Sequence, residues 1–163
     1  MNPLLKIKSF PNEYKIFGTL FVIGNRLQWL GDSFFEEITS KQWFVLTLLD
    51  AMEGYSPSLK ELSAAAGSTH QNVKQIALKL EAKGYLTLAR DERDARQLRI
   101  CITPKCRELQ DKYEKKQEAF IKKLYSGLSP DELNCLWSGL SKMEQNLKEM
   151  KPSESNSNRY FPV

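Results

Sequence analysis

The sequence contains one histidine, His70, and three cysteines, Cys101, Cys106 and Cys135, with no Cys-x-x-Cys pair. A His-based metal site, a Ser-His or Cys-His nucleophile couple and a disulfide framework each need more of these residues than the chain has. No glycine-rich phosphate loop occurs, so nucleotide-driven chemistry lacks its cradle. Carboxylates are plentiful, but they fall in helix-capping positions and on charged surfaces, not in an apolar setting that would prepare one for acid–base work. No enzyme activity, no cofactor and no metal are expected. Long apolar runs are also missing. The longest uncharged stretch of the N-terminal third, Ile16 to Asn25, falls well short of the roughly 18–20 residues that cross a bilayer. Met1 to Lys8 carries lysines but no apolar core followed by small residues. The expectation is a cytoplasmic protein with no membrane partner.

Its 163 residues, 41% hydrophobic and 27% charged, suit one globular domain, alone or with an attached helical layer. The net charge of +4 is unevenly spread. Between Ser68 and Arg107 there are nine Lys or Arg against four acids, a local +5, and the remainder has 15 basic and 16 acidic residues, a sum of −1. A positive window on a neutral scaffold is the footprint of a nucleic-acid-contacting segment.

Apolar residues Ile16, Leu20, Ile23, Leu27 and Leu30 recur at steps of four and three, predicting an amphipathic helix from about Asn12 to Leu30 that stops at Gly31. Thr39-Ser40-Lys41-Gln42 is a capping box that opens a buried helix through Trp43, Phe44 and Leu49. Ser58-Leu59-Lys60-Glu61 starts a short helix that ends at Gly67, and Ser68-Thr69-His70-Gln71 starts another, with Val73, Ile76, Ala77 and Leu80 inward and Gly84 as its cap. Alternation replaces helical spacing in Tyr85–Leu88 and Gln97–Ile102, predicting a hairpin whose charged tip runs from Arg90 to Arg96. Thr103-Pro104 begins a helix carrying Leu109, Tyr113, Phe120 and Leu124, and Ser129-Pro130-Asp131-Glu132 begins a last one carrying Leu136, Trp137, Leu140 and Leu147. Trp43, Phe44, Phe120 and Trp137 lie on these apolar stripes and read as packing residues. The Ser/Asn-rich stretch 151–163 reads as a disordered tail.

Two short helices meeting at Gly67, followed by a hairpin, make a winged helix-turn-helix. Burying Val73, Ile76, Ala77 and Leu80 turns Gln71, Lys74 and Gln75 outward, with His70 and Asn72 flanking them. These residues would enter a major groove of double-stranded DNA, where amides pair with adenine edges and Lys74 with guanine or phosphate. Ser68 and Thr69 sit where backbone N–H groups favour phosphate oxygens. At the hairpin tip, Arg90, Arg93, Asp94 and Arg96 could follow the backbone or reach the minor groove. Leu78, near the outward face, suits either a thymine methyl or a packing contact.

The order Thr39-x-x-Gln42 with Trp43, Leu59-x-Glu61-Leu62-x-x-Ala65, Leu80-Glu81-x-Lys83-Gly84-Tyr85-Leu86, Arg90-Asp91-x-x-Asp94-x-Arg96 and Ile102-Thr103-Pro104-x-x-Arg107-Glu108-Leu109 resembles MarR-type transcriptional regulators. The resemblance runs from about Asn12 to Met150. It implies a mainly α fold with a small β-hairpin wing: a dimerisation helix in 1–36, a winged helix-turn-helix domain in 37–103 and C-terminal dimerisation helices in 104–150. It implies a homodimer on a pseudo-palindromic operator, acting as a repressor or less often an activator. Arg96 would match the wing arginine that enters the minor groove, and Asp94 the acid that orients it. Cys106 replaces the glycine usual after Thr-Pro-Lys, away from the DNA face.

A small anionic or aromatic effector is expected in the crevice between the helical layer and the winged domain. Two further readings stand beside this one. In a thiol sensor, Cys101 would point away from the apolar face of its strand, and Cys106, in a helix's first turn, would have a thiol pKa lowered by the dipole. Peroxide-sensing members carry their cysteine in the first helix, which here has none. In a protein-interaction module, the terminal stripes would meet a foreign partner.

Overall fold

The computed structural model describes residues 10–52, 54–91 and 98–150. Expectations for the wing-tip residues Arg93, Asp94 and Arg96 and for the tail 151–163 therefore lie outside the described residues. The elements are α1 (Asn12–Phe34), α2 (Ser40–Ala51), α3 (Leu59–Ala65), α4 (His70–Ala82), β1 (Leu86–Arg90), β2 (Leu98–Ile102), α5 (Pro104–Leu124) and α6 (Pro130–Glu149). The fold is mainly α with one antiparallel hairpin, as expected.

Side chains start most helices where the sequence marks them. Thr39, Ser58 and Ser129 each accept a hydrogen bond from the backbone of the third helical residue, and Gln42, Glu61 and Glu132 reach back to the cap. These reciprocal bonds satisfy donors that a helix start otherwise leaves open, and losing a cap of this kind costs about 1 kcal/mol. Two boundaries differ from expectation. The N-cap of α4 is Thr69, which accepts from Asn72 N–H at 3.2 Å. Ser68 lies one residue outside and accepts from the Asn72 side chain at 2.8 Å, so the predicted box is replaced by this pair.

The second difference is α1, which runs through Gly31 to Phe34. Gly31 does not end the helix; it makes room, since a Cβ there would stand 2.6 Å from the Ser40 Cβ. The glycine lets the start of α2 approach the last turns of α1, where Asp32 accepts from the Ser40 N–H at 2.8 Å and hydroxyl at 2.7 Å. These bonds hold the Asp32 carboxyl below its usual range. Gly84, by contrast, adopts φ 78° and closes α4 as predicted.

The core lies among α2, α3, α4, the hairpin and the first half of α5. Leu46, Leu62, Val73, Ala77 and Leu80 are fully buried, and Leu86, Ile100, Cys106 and Tyr113 close around them. In the hairpin Leu86 faces Ile102, Leu88 faces Ile100 and Arg90 faces Leu98. The segment before α3 joins it through a bridge between Ser58 and Arg99 and a bond from Ile100 N–H to Pro57 C=O at 3.0 Å. At the join between α1, α2 and α5, Phe35 stacks on Trp43 with ring centroids 4.7 Å apart, and Tyr113 meets Phe35 edge-on at 5.0 Å. The Tyr113 hydroxyl accepts from Glu36 N–H and donates to Glu37, which also pairs with Lys112. Phe120 rests on Phe34 at 5.7 Å.

The end helices differ. Neither α1 nor α6 buries any residue. Tyr14, Phe17, Phe21 and Trp29 on α1 and Leu136, Trp137, Leu140 and Leu147 on α6 are exposed. Among the described residues no helix is long and apolar enough to cross a membrane.

Candidate nucleic-acid interface

The two helices of the candidate reading head meet at Gly67, whose φ of 56° is a conformation that glycine adopts without a Cβ penalty. α3 is held at its start by Ser58 and Glu61 and buries Leu59 and Leu62. α4 buries Val73, Ala77 and Leu80. Its opposite face presents His70, Gln71, Asn72, Lys74 and Gln75 to solvent, with Ser68 and Thr69 half-buried at its start. The structure thus brings all seven predicted helix residues to one end and face of α4. The Asn72 amide is partly committed by its bond to Ser68. Gln71, Lys74 and Gln75 are exposed donors and acceptors on this face, and Leu78 is 40% exposed. Such a face offers amide groups and a cation at groove-reading spacing.

Arg90, the last residue of β1, is exposed. Beneath it lies a cluster that sequence reasoning missed. Arg99 on β2 pairs with Asp91 and with Glu61, and its guanidinium also donates to the Tyr55 hydroxyl and to the Ser56 carbonyl, both at 3.2 Å. Tyr55 donates to Glu61 at 2.5 Å. That bond and those from Ser58, with the Arg99 charge nearby, hold the Glu61 carboxyl down at about 2. Glu61 was legible as a cap, but its second role comes from Tyr55 in the preceding turn and from Arg99 on a strand 38 positions away. The only hint of Arg99's role was a charge on an otherwise alternating apolar strand.

The two candidate thiols behave differently from expectation. Cys106 is fully buried, and burial, together with the Asp50 charge, pushes its thiol up to about 11. Desolvation outweighs the helix dipole, so the expected activation is overturned. Cys101 does point away from the Ile100 side, as expected. There its sulfur lies 3.1 Å from the Ser56 hydroxyl. Both Ser56 and Cys101 line an open cleft of about 620 Å³ that Tyr55, Ile100, Arg107 and Asp111 also border. Among the described residues no group of three or more His, Cys, Asp or Glu could hold a metal ion.

The paired helices, the hairpin behind them and the polar face of α4 define a winged helix-turn-helix protein. Residues 37–97 match the model of the MarR family. Over 114 residues the chain is 29% identical to the transcriptional repressor MprA of Escherichia coli K12. That alignment covers 70% of this chain and 65% of MprA, so the chain spans just under two thirds of this relative. Among solved structures, S. aureus MepR in complex with DNA superposes with a TM-score of 0.72 at 23% identity, over 85% of this chain and 99% of MepR. BpsR of Bordetella bronchiseptica, whose DNA binding is regulated by 6-hydroxynicotinic acid, superposes at 0.68 and 22% identity, over 80% and 98%. These two likenesses show a shared fold.

Proposed function

We propose that this protein is a transcriptional regulator, acting as a repressor, that binds a pseudo-palindromic duplex as a homodimer. The observation that carries the reading is the solvent-facing row Gln71, Lys74 and Gln75 on a helix whose other side is locked into the core. In this reading α4 enters the major groove, Ser68 and Thr69 meet phosphate, and the tip residues Arg93, Asp94 and Arg96 follow the wing to the backbone or minor groove. The repressor MprA and the DNA-bound MepR support it by likeness. A second copy of the chain supplies the partner for the apolar stripes of α1 and α6, giving the symmetry that a palindrome requires.

A small anionic or aromatic effector fits the cleft between the winged domain and α5, where Arg107 supplies a cation and the exposed Tyr55 supplies a flat aromatic ring. BpsR offers the likeness for an aromatic acid. Titrating operator-bound protein with hydroxylated aromatic acids should release DNA, and Arg107→Gln should weaken that release.

Selection of duplexes from a randomised library at near-physiological salt tests the main reading. An enriched inverted repeat with half-site centres about 34–36 Å apart is the expected result. Salt-sensitive binding without enrichment would overturn sequence-specific regulation by the ligand-free protein.

A further inference from the structure

The wing leaves the winged domain after Arg90 and returns at Leu98, and a two-stranded hairpin is by itself only marginally stable in water. At its root, Arg99 points to the side of β2 opposite Ile100 and reaches four acceptors on three separate segments. Its Nε donates to Asp91, the first residue beyond β1. Its Nη1 donates to the Tyr55 hydroxyl and the Ser56 carbonyl, each at 3.2 Å, and approaches Glu61 Oε2 at 3.4 Å. That same Glu61 oxygen accepts from the Ser58 N–H at 2.7 Å and the Ser58 hydroxyl at 2.8 Å, while Oε1 accepts from Tyr55 at 2.5 Å. A continuous polar chain thus runs from the N-cap of α3, through Tyr55 and Arg99, to the first residue of the wing's connection.

Resting on the DNA-binding reading above, we propose that Arg99 is a positioning residue for the wing, a guanidinium strut that fixes the wing's root against the start of α3. Because α3 and α4 are joined by the short turn at Gly67, holding the root to α3 also sets the wing's register relative to α4. The planar fork of arginine suits this role: it presents several donors in one rigid plane, so one side chain can engage a carboxylate on one segment and a hydroxyl and a carbonyl on another. Lysine keeps the charge but not the fork. The Arg99 side chain is 29% exposed and the Asp91 side chain 10%, so the pair is shielded from the solvent that weakens open surface pairs. The strut leaves the bases to other residues; its effect on DNA passes through the wing it holds.

The test uses the full chain with Arg99→Gln, Arg99→Lys, Asp91→Asn and the Arg99→Gln/Asp91→Asn double variant, all first confirmed to melt cooperatively. In DNA-free protein, hydrogen–deuterium exchange at residues 88–91 and 98–100 should rise about tenfold in each variant, with α2 and α4 unchanged. On the duplex selected by the wild type, each single variant should bind about tenfold more weakly, and the double about tenfold instead of a hundredfold, because both remove one coupling. Base preference should be lost at the outer positions of each half-site and kept at those under α4. Arg99→Lys should resemble Arg99→Gln.

Unchanged exchange at the root would overturn the proposal, as would additive losses or wild-type behaviour in Arg99→Lys, which would make Arg99 a plain phosphate contact. If the wild type selects no duplex, the DNA-binding reading falls, and the exchange measurement alone decides whether Arg99 holds the root.

Discussion

The winged domain and the end helices obey opposite rules of burial. In the former, Leu46, Leu62, Val73, Ala77 and Leu80 are wholly removed from water, whereas Trp29 on α1 is 72% exposed and Trp137 on α6 is 74% exposed. Both regions are amphipathic, but only one contains the surface its apolar side needs. Large apolar side chains left exposed along a helix are candidates for an interaction surface. The contrast teaches that the winged domain holds the buried core, while α1 and α6 bury no residue; in our proposal their open faces meet the same surface of a second copy.

The most forceful way to break this contrast is to make the open surface polar. Phe21→Glu combined with Trp137→Glu should leave the winged core folded yet weaken self-association by about a thousandfold or more, in keeping with the roughly 2–4 kcal/mol carried by individual aromatic anchors. Sedimentation velocity across a dilution series checks it. A wild-type chain that is monomeric at micromolar concentration would sink the homodimer outright.

Truncation within the core should act through stability instead. Leu46→Ala removes a fully buried side chain and should cost about 3 kcal/mol in urea denaturation, by loss of contacts plus the cavity left behind. Leu140→Ala on α6 should cost far less in dilute monomer and should show its effect as protein concentration rises, since its proposed partner is a second chain. Equal losses at both positions in dilute protein would remove the distinction between the regions.

The face of α4 offers a smaller and more selective effect. Gln75→Ala should weaken binding to the selected duplex by about 1–2 kcal/mol and relax preference at one base position, while Lys74→Ala should weaken all duplexes alike and reduce the salt slope by about one if it meets phosphate. Neither residue is buried, so melting temperature should stay near wild type. Competition binding across salt concentrations distinguishes the two roles.

Local chemistry was the legible part of this molecule. Thr39, Ser58 and Ser129 announced their helices because a cap and its reciprocal partner lie three residues apart, and the alternation of Leu98, Ile100 and Ile102 announced β2 because pleating has period two. The outward set on α4 followed from helical geometry alone. What escaped prediction depends on contacts between distant residues. Gly31 reads as a stop signal until Ser40 is seen to lie against it. Cys106 looks activated by a helix N-terminus until the core closes over it and desolvation pushes its thiol up. The meeting of Tyr55, Glu61, Asp91 and Arg99 likewise requires the tertiary fold, because no spacing rule links a turn, a cap and a strand.

That last cluster also gives the smallest effect, a pH dependence that separates the winged domain from the helical ends. Glu61 is held at about 2 by Tyr55, Ser58 and Arg99, below the roughly 4.3 of a free glutamate. In the window between these values the unfolded chain binds a proton that the folded chain does not, so folding gains stability as pH rises through it and loses stability as pH falls. The contribution is fully present above about pH 4.3 and gone below about pH 2. Its size is limited because the Glu61 side chain is 47% exposed and water screens its partners. Glu61→Gln should therefore be slightly less stable than the wild type at neutral pH, and the two should converge as pH falls from 5 to 2. Urea midpoints measured across that range check the sign. A gap that stays constant with pH would show that the carboxylate charge contributes nothing to the network and that Glu61 serves only as the cap of α3.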